Sequence, residues 1–343
     1  MKGYLAVKVF NNIGLFGVLA AMFFSPMVGA KIAYGANSPR ELVEITSPHA
    51  VCNNGERANY MIERAESGKW LVFFEGGGAA GNAGEYIKRA NKGYQIKPLE
   101  KASWVASAIH DHFAEMGFNS VFVHNCSSDL FQGDHFHRIK GENVPFKGRR
   151  IVEGLLEDLH KELQDASLVV FGGSSAGAVS LGFNVDILSQ YKNVRIISDS
   201  FWFDKETLGW FTSVFLRNRD RINWIYNNMP DHCLGKLKNC FPHRSLFTKN
   251  GLDDVFIIWN FGDAYQRSAN KEKVKEAIKA DLKHYQAGFS ADATKIKINA
   301  FGKGGHVMTM KIETYNQIIG GVTLKALIEG WIKDRGNKLY LGY

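Results

Sequence analysis

Leu168-Val169-Val170-Phe171 runs directly into Gly172-Gly173-Ser174-Ser175-Ala176-Gly177, an apolar β-type stretch that ends in Gly-x-Ser-x-Gly. No other stretch constrains the fold as much. A serine between two glycines, placed after a strand and before a helix, sits on a tight turn. Its hydroxyl projects there, and the small neighbours let the backbone close without clashes. The frame selects Ser175, because centring on Ser174 would put Gly172 and Ala176 at the glycine positions. Gly-x-Ser-x-Gly also describes ordinary glycine-serine turns, so its meaning depends on context.

The context is a series of buried strands. Trp70–Phe74, Ser120–His124, Leu168–Phe171, Val194–Ser198, Val255–Trp259 and Lys295–Ala300 are dense in Val, Ile and Phe, mostly without polar alternation. Strands covered on both faces of a parallel sheet read this way. Between them lie segments with helical spacing: Ser103–Met116, Ile151–Gln164, Ala176–Gln190, Ser268–Ala287 and Met308–Lys333. In Ile151–Gln164 the leucines at 155, 156, 159 and 163 form one apolar stripe. The alternation predicts an α/β fold, a mostly parallel sheet flanked by helices. Residues 202–250 are rich in aromatics and are expected to form a cap-like insertion over the sheet edge. Neither a repeat nor a Pro/Ser-rich linker divides residues 31–343, which are read as a single domain. Glycine turns follow three of the strands, at Gly76–Gly78, Gly172–Gly177 and Gly302–Gly305. Ligands bind beyond the carboxyl ends of parallel strands, so the three turns predict one shared site.

With 45% hydrophobic and 22% charged residues the chain is globular rather than disordered. Lys2 and Lys8 precede an apolar stretch from Ile13 to Met27 that leads to Val28-Gly29-Ala30, the pattern of a signal peptide over residues 1–30. Tyr34-Gly35-Ala36 offers a second cleavage site. An uncleaved anchor is the rival reading, and Pro26 with its small neighbours favours cleavage. The expected location is secreted or periplasmic, with no stable membrane insertion once the leader is gone. Its removal lowers the formal charge from +8 to +6, and the remaining basic residues are spread along the chain. Without a basic block or motif, nucleic acid is not an expected partner. Export also suits the cysteines. Cys52, Cys126, Cys233 and Cys240 allow three pairings, of which Cys233 with Cys240 would close a small loop and leave Cys52 for Cys126. They form no Cys-x-x-Cys of the zinc-binding kind.

A serine nucleophile needs a base and a group that orients the base. His306 lies in the glycine loop after the last strand and is the expected base, ahead of His284, which lies mid-helix by pattern. Asp263 follows Val255–Asn260 through Phe261-Gly262 and is the expected acid. Asp199, at the end of Val194–Ser198, is the runner-up, and helix capping is a competing role for Asp263. The order Ser175, Asp263, His306 is that of α/β-hydrolases. Backbone N–H groups of Gly77, Gly78 and Ala176 are the expected oxyanion donors. The Gly76–Gly78 run lacks the Gly-Lys-Ser/Thr ending of a phosphate-binding loop. A rival metal site would draw on His110, His112, His124, His135 and His137 with Asp111, Asp129 and Asp134. His110 and His112 diverge if residues 109–113 are helical, so structural or surface roles are preferred, and no metal or other cofactor is expected.

Four blocks together resemble the pectin acetylesterase/Notum family: Cys52-Asn53-Asn54-Gly55, Trp70 through Gly77, Asn125-Cys126-Ser127-Ser128-Asp129 and Gly172 through Gly177. Phe183-Asn184-Val185-Asp186 adds to the resemblance, which covers about Val51 to Met308. It implies an α/β-hydrolase-like serine carboxylesterase acting on O-acyl esters, with Ser175, Asp263 and His306 matching the triad and Gly77, Gly78 and Ala176 the oxyanion positions. The implied partner is an acylated carbohydrate or another small ester. Notum carries an aromatic residue where this chain has Gly78, and Ala79–Lys101 keeps little of its lid. Acyl-chain length is therefore left open between acetyl and a fatty acyl group. A carbohydrate-binding protein on a decayed hydrolase scaffold is the alternative from another class, and the complete Ser/Asp/His set argues against it.

Overall fold

A computed structural model of the chain describes residues 39–93, 95–102, 105, 107–201, 224, 233, 240–242, 244–252, 254–260, 296–301, 307–310, 312–316, 318–319, 322–333 and 340–341. The strands are β1 (Glu41–Glu44), β2 (Asn59–Glu63), β3 (Lys69–Phe74), β4 (Asn119–Val123), β5 (His135–Ile139), β6 (Glu142–Phe146), β7 (Leu168–Ser174), β8 (Val194–Asp199), β9 (Val255–Asn260), β10 (Ile296–Phe301), β11 (Ile318–Ile319), β12 (Val322–Thr323) and β13 (Tyr340–Leu341). The described helices are α1 (Ala83–Asn91), α2 (Ala108–Glu115), α3 (Gly148–Asp158), α4 (His160–Gln164), α5 (Ala176–Phe183), α6 (Val185–Leu188), α7 (Arg244–Lys249), α8 (Ile312–Tyr315) and α9 (Leu324–Lys333).

The main sheet runs β1-β2-β4-β3-β7-β8-β9-β10-β13. From β4 to β13 every neighbouring pair is parallel, and β2 pairs antiparallel with both β1 and β4. All six sequence-predicted strands lie in this parallel part. The reason is visible along β3. Trp70, Val72 and Phe74 join the core on one face and Leu71 and Phe73 the core on the other, so neither side can be polar. Ile151, Leu155, Leu159 and Leu163 from α3 and α4 cover the first face, while Phe113 of α2 and Trp331 of α9 cover the second.

Three expected helices differ from those observed. Ile151–Gln164 breaks at Leu159 into α3 and α4. Ala176–Gln190 breaks at Asn184, whose side chain donates to the Phe131 and Ser180 carbonyls. Met308–Lys333 is a non-helical start, α8, the antiparallel pair β11 and β12, and then α9, and the glycine pair at 320–321 in the sequence is a helix-breaking signal inside an otherwise periodic run. Ser268–Ala287 and most of 202–250 lie outside the described residues. Sequence periodicity did not reveal α1, whose start is a reciprocal cap. Asn82 accepts from the Glu85 N–H at 2.9 Å, and the Glu85 carboxylate accepts from the Gly81 N–H at 2.7 Å.

Cys52 is bonded to Cys126 and Cys233 to Cys240. Of the three pairings open to the sequence, this is the one that closes the small loop. No helix among the described residues is long and apolar enough to cross a membrane.

Candidate active site

β3 and β7 are neighbours in register, with Phe74 opposite Gly173, and the chain leaves them for opposite sides of the sheet. A crevice therefore opens beyond their carboxyl ends. Ser175 caps β7 there, with φ +53° and ψ −116°. A non-glycine residue held in that region stores roughly 1–3 kcal/mol of strain. The close approach of β7 to α5 and β3 maintains it. A Cβ on Gly173 would overlap the Gly177 carbonyl, and one on Gly177 would overlap the Phe74 carbonyl. Only a Gly-x-x-x-Gly frame lets strand, elbow and helix come this near. Ser174 is the last residue of β7 and fully buried, whereas Ser175 stands at the start of α5 without capping it. As the first helical residue, Ala176 has an N–H with no partner inside the helix.

The loop after β3 lies beside this elbow. A Cβ built on Gly76 would sit 3.2 Å from the Cβ of Ser175. Gly77 and Gly78 have φ of +118° and +68°, a region that favours glycine. Their surroundings brace the loop from behind. Gly76 O accepts from Gln95 Nε2 and Asn125 Nδ2, both at 3.0 Å. Gly77 O accepts from the Arg89 guanidinium at 2.8 Å, and Gly78 O from Asn125 Nδ2 at 3.2 Å. Glu75, one residue earlier, accepts from His124 Nδ1 at 2.6 Å and from the Asn125 N–H at 3.1 Å.

β8 ends on the other side of β7, where Asp199 does two things. Its carbonyl accepts the Ser175 N–H at 2.9 Å. Its buried carboxylate accepts from the Met308 and Thr309 N–H groups, each at 2.8 Å, and from the Thr309 hydroxyl at 2.7 Å. Ser200 donates to the same carboxylate and accepts the Val307 N–H at 3.0 Å. The segment after residue 306 is thereby tied to the end of β8. Asp263 and His306 themselves lie outside the described residues. Of the expected site residues, the structure describes Ser175, Ala176, Gly77 and Gly78, which come from adjacent strand ends.

The sequence matches the pectinacetylesterase family pattern over residues 35–301. The chain belongs to the pectinacetylesterase family. The α/β-hydrolase-like fold of that family is the mostly parallel, helix-flanked sheet described above. The chain is also similar to palmitoleoyl-protein carboxylesterases. With NOTUM of Schmidtea mediterranea it shares 26% identity over 204 residues, 55% of this chain and 38% of that protein. With notum1' of Xenopus laevis it shares 28% over 260 residues, 65% and 52% of the two chains. With human NOTUM it shares 26% over 186 residues, 49% and 37%. The chain thus spans between 37% and 52% of these three relatives' lengths.

In this pectinacetylesterase-family chain the rival metal-binding side chains do not converge. His110 lies 3.6 Å from Glu63, and burial lowers its pKa. His112 meets Tyr315 and Glu329, His124 meets Glu75, and His135 and His137 face each other at 2.7 Å. Asp111 pairs with Arg40, Asp134 with Lys147 and Arg150, and Asp129 with backbone amides. Among the described residues no three His, Cys, Asp or Glu side chains form a metal-sized cluster. Sequence reading missed Arg89 and Gln95. Asn125 was visible in the Asn-Cys-Ser-Ser-Asp block, but nothing in the pattern marked Arg89 on α1 as different from its basic neighbours Lys88 and Lys92.

Proposed function

We propose that this chain is an exported serine carboxylesterase that removes O-acyl groups, foremost acetyl, from an acylated carbohydrate. Residues 1–30 act as the leader and 31–343 as a single hydrolase domain in this reading. One observation carries it: Ser175 occupies a strained turn between β7 and α5, next to the glycine loop of β3. Strain of this kind at the end of a strand, in a Gly-x-Ser-x-Gly turn that leads into a helix, is characteristic of a nucleophile elbow.

Ser175 Oγ attacks the ester carbonyl carbon as His306 accepts its proton and Asp263 orients the imidazole. Negative charge on the former carbonyl oxygen is met by the N–H groups of Gly77, Gly78 and Ala176. The alcohol leaves with the proton from His306, and water then cleaves the acyl-enzyme with His306 again as base. No cofactor enters this scheme.

A longer acyl group is the second reading. The palmitoleoyl-protein carboxylesterases among the relatives support it, as does the space beside Gly78, where an added Cβ would meet no atom of the described residues within 4 Å. A series of p-nitrophenyl esters from acetate to palmitate separates the two by their kcat/KM order. Ser175→Ala is expected to lower turnover of the preferred ester by several orders of magnitude. Full activity in that variant removes Ser175 from the mechanism. A folded wild-type protein that a fluorophosphonate probe leaves unlabelled favours a carbohydrate-binding role without catalysis.

A further inference from the structure

In a trans peptide the C=O of one residue and the N–H of the next point in opposite directions. Fixing a carbonyl therefore aims the following amide. The loop after β3 has three successive carbonyls held by side chains: Gly76 O by Gln95 and Asn125, Gly77 O by Arg89, and Gly78 O by Asn125. No peptide among the described residues is cis. The N–H groups of Gly77, Gly78 and Ala79 are thereby turned away from Gln95, Arg89 and Asn125.

The braces are themselves fixed. Arg89 Nε donates to Ser128 Oγ at 3.1 Å, and another of its nitrogens donates to Gln95 Oε1 at 3.3 Å. The Gln95 amide fills the place that a Cβ on Gly77 would take, so a side chain at 77 would displace it. Arg89 differs from the other two in carrying charge. A guanidinium on the Gly77 carbonyl polarises that peptide and makes the Gly78 N–H a stronger donor.

We propose that Arg89 is a positioning residue of the oxyanion hole, aiming and polarising the Gly78 N–H through the Gly77 carbonyl, with Gln95 as its partner on Gly76. The proposal rests on the assignment of Ser175 as nucleophile and of the loop's amides as donors. Arg89 acts through the Gly77 carbonyl, so its effect falls on the transition state, where charge reaches the oxygen, and not on ground-state ester binding.

The test uses the mature protein with Arg89→Met, Arg89→Lys, Gln95→Met and, as a control, Lys88→Ala, which removes an exposed charge from the same helix. For Arg89→Met the expected result with p-nitrophenyl acetate is a kcat loss of about tenfold or more, below the roughly 100–1000-fold that follows loss of a donor itself. KM should change by less than about threefold, and phosphonylation by a fluorophosphonate should slow in parallel with kcat. Arg89→Lys should recover part of kcat, Gln95→Met should lose it to a smaller degree, and Lys88→Ala should behave as wild type. Arg89→Met with wild-type kcat, while Ser175→Ala is inactive, overturns the positioning role alone. If Ser175→Ala stays active, the hydrolase reading on which it rests has failed instead. If Arg89→Met unfolds, the comparison passes to Arg89→Lys and Gln95→Met. A rise in KM in both with kcat intact again overturns the proposal, since a merely loosened loop behaves that way.

Discussion

Asp129 offers a sharp test, because two effects of opposite sign act on one buried carboxyl. Its Oδ1 accepts from the Ser127 hydroxyl at 2.5 Å and the Phe131 N–H at 3.1 Å, and its Oδ2 from the N–H groups of Gly133 at 3.2 Å and Gly148 at 2.8 Å. These bonds hold a loop in which Ser128, Leu130 and Phe131 all have positive φ. Complete burial still pushes the carboxyl up from 3.8 to about 6. The neutral acid satisfies the same four groups, with its proton given to Ser127 Oγ. In Asp129→Asn one amide N–H2 must face a donor. The better orientation puts it at the Oδ1 position, where Ser127 can rotate to accept but the Phe131 N–H is left unpaired. That loss is about 1–3 kcal/mol relative to the neutral acid. Folding favours the protonated form, so the stability this group provides is complete below its unfolded value of 3.8 and declines as pH rises toward about 6. At about 1.36 kcal/mol per unit, the decline is roughly 3 kcal/mol. Asparagine does not titrate. In urea denaturation followed by tryptophan fluorescence, Asp129→Asn should therefore be less stable than wild type by about 1–3 kcal/mol near pH 4. The gap should close, or reverse, by about pH 7. A deficit that is constant with pH, or larger at neutral pH, would show that the four donors outweigh burial and refute the argument.

Two further substitutions probe the frame around the nucleophile. Gly177→Ala places a methyl on the Phe74 carbonyl and 2.8 Å from the Glu75 carbonyl, both backbone atoms that cannot move independently. It should lower stability by about 1–3 kcal/mol or prevent folding, and a thermal midpoint within about 1 °C of wild type, below the ~1.5 °C per kcal/mol that about 2.1 cal/mol/K per residue implies for a domain of this size, would contradict the close approach. Asp199→Asn can keep the three donors of Oδ2 on its neutral, weaker amide oxygen only by turning its N–H2 toward Ser200 Oγ, which in the wild type donates to Oδ1 and also accepts the Val307 N–H, and should reduce kcat on p-nitrophenyl acetate about tenfold or more while leaving the protein folded; unchanged kcat and stability would mean that the segment after residue 306 is held by other contacts.

The sheet was legible because its parallel strands are apolar on both faces, a pattern that only double coverage by helices explains. Edges were not. β1 and β2 carry Glu41, Glu44, Asn59 and Glu63 among their apolar residues, and the β5–β6 hairpin alternates histidine with Phe136 and Arg138, so neither stood out as strand. The elbow was legible as a local motif, since strand, Gly-x-Ser-x-Gly and helix are contiguous. What holds the site in shape was not, because it acts across long separations. Arg89 reaches Ser128, Asn125 reaches Gly76, and Asp199 reaches Thr309, contacts of 39, 49 and 110 positions that leave no periodic trace. Asp199 was legible as an aspartate at a strand end, but its bonds to Met308 and Thr309 were not.

That arrangement explains why the end of β8 matters to the site. Three residues here have positive φ without being glycine: Ser175 at +53°, Ser200 at +69° and Val307 at +66°. For β-branched Val307 this is especially unfavourable, since its branched side chain crowds the backbone in the left-handed region. Strained conformations persist only where surrounding bonds over-determine them. Here the restraints converge on Asp199 and Ser200: the Ser175 N–H reaches the Asp199 carbonyl, the Val307 N–H reaches Ser200 Oγ, and the next two N–H groups reach the Asp199 carboxylate. The elbow and the segment that follows residue 306 are thus anchored to the same dipeptide. A shift of the β8 end would move both at once, which keeps their separation constant even if each is displaced. In the proposed mechanism that separation is the one that proton transfer from Ser175 to His306 depends on, so the strain is placed where a fixed distance has chemical value.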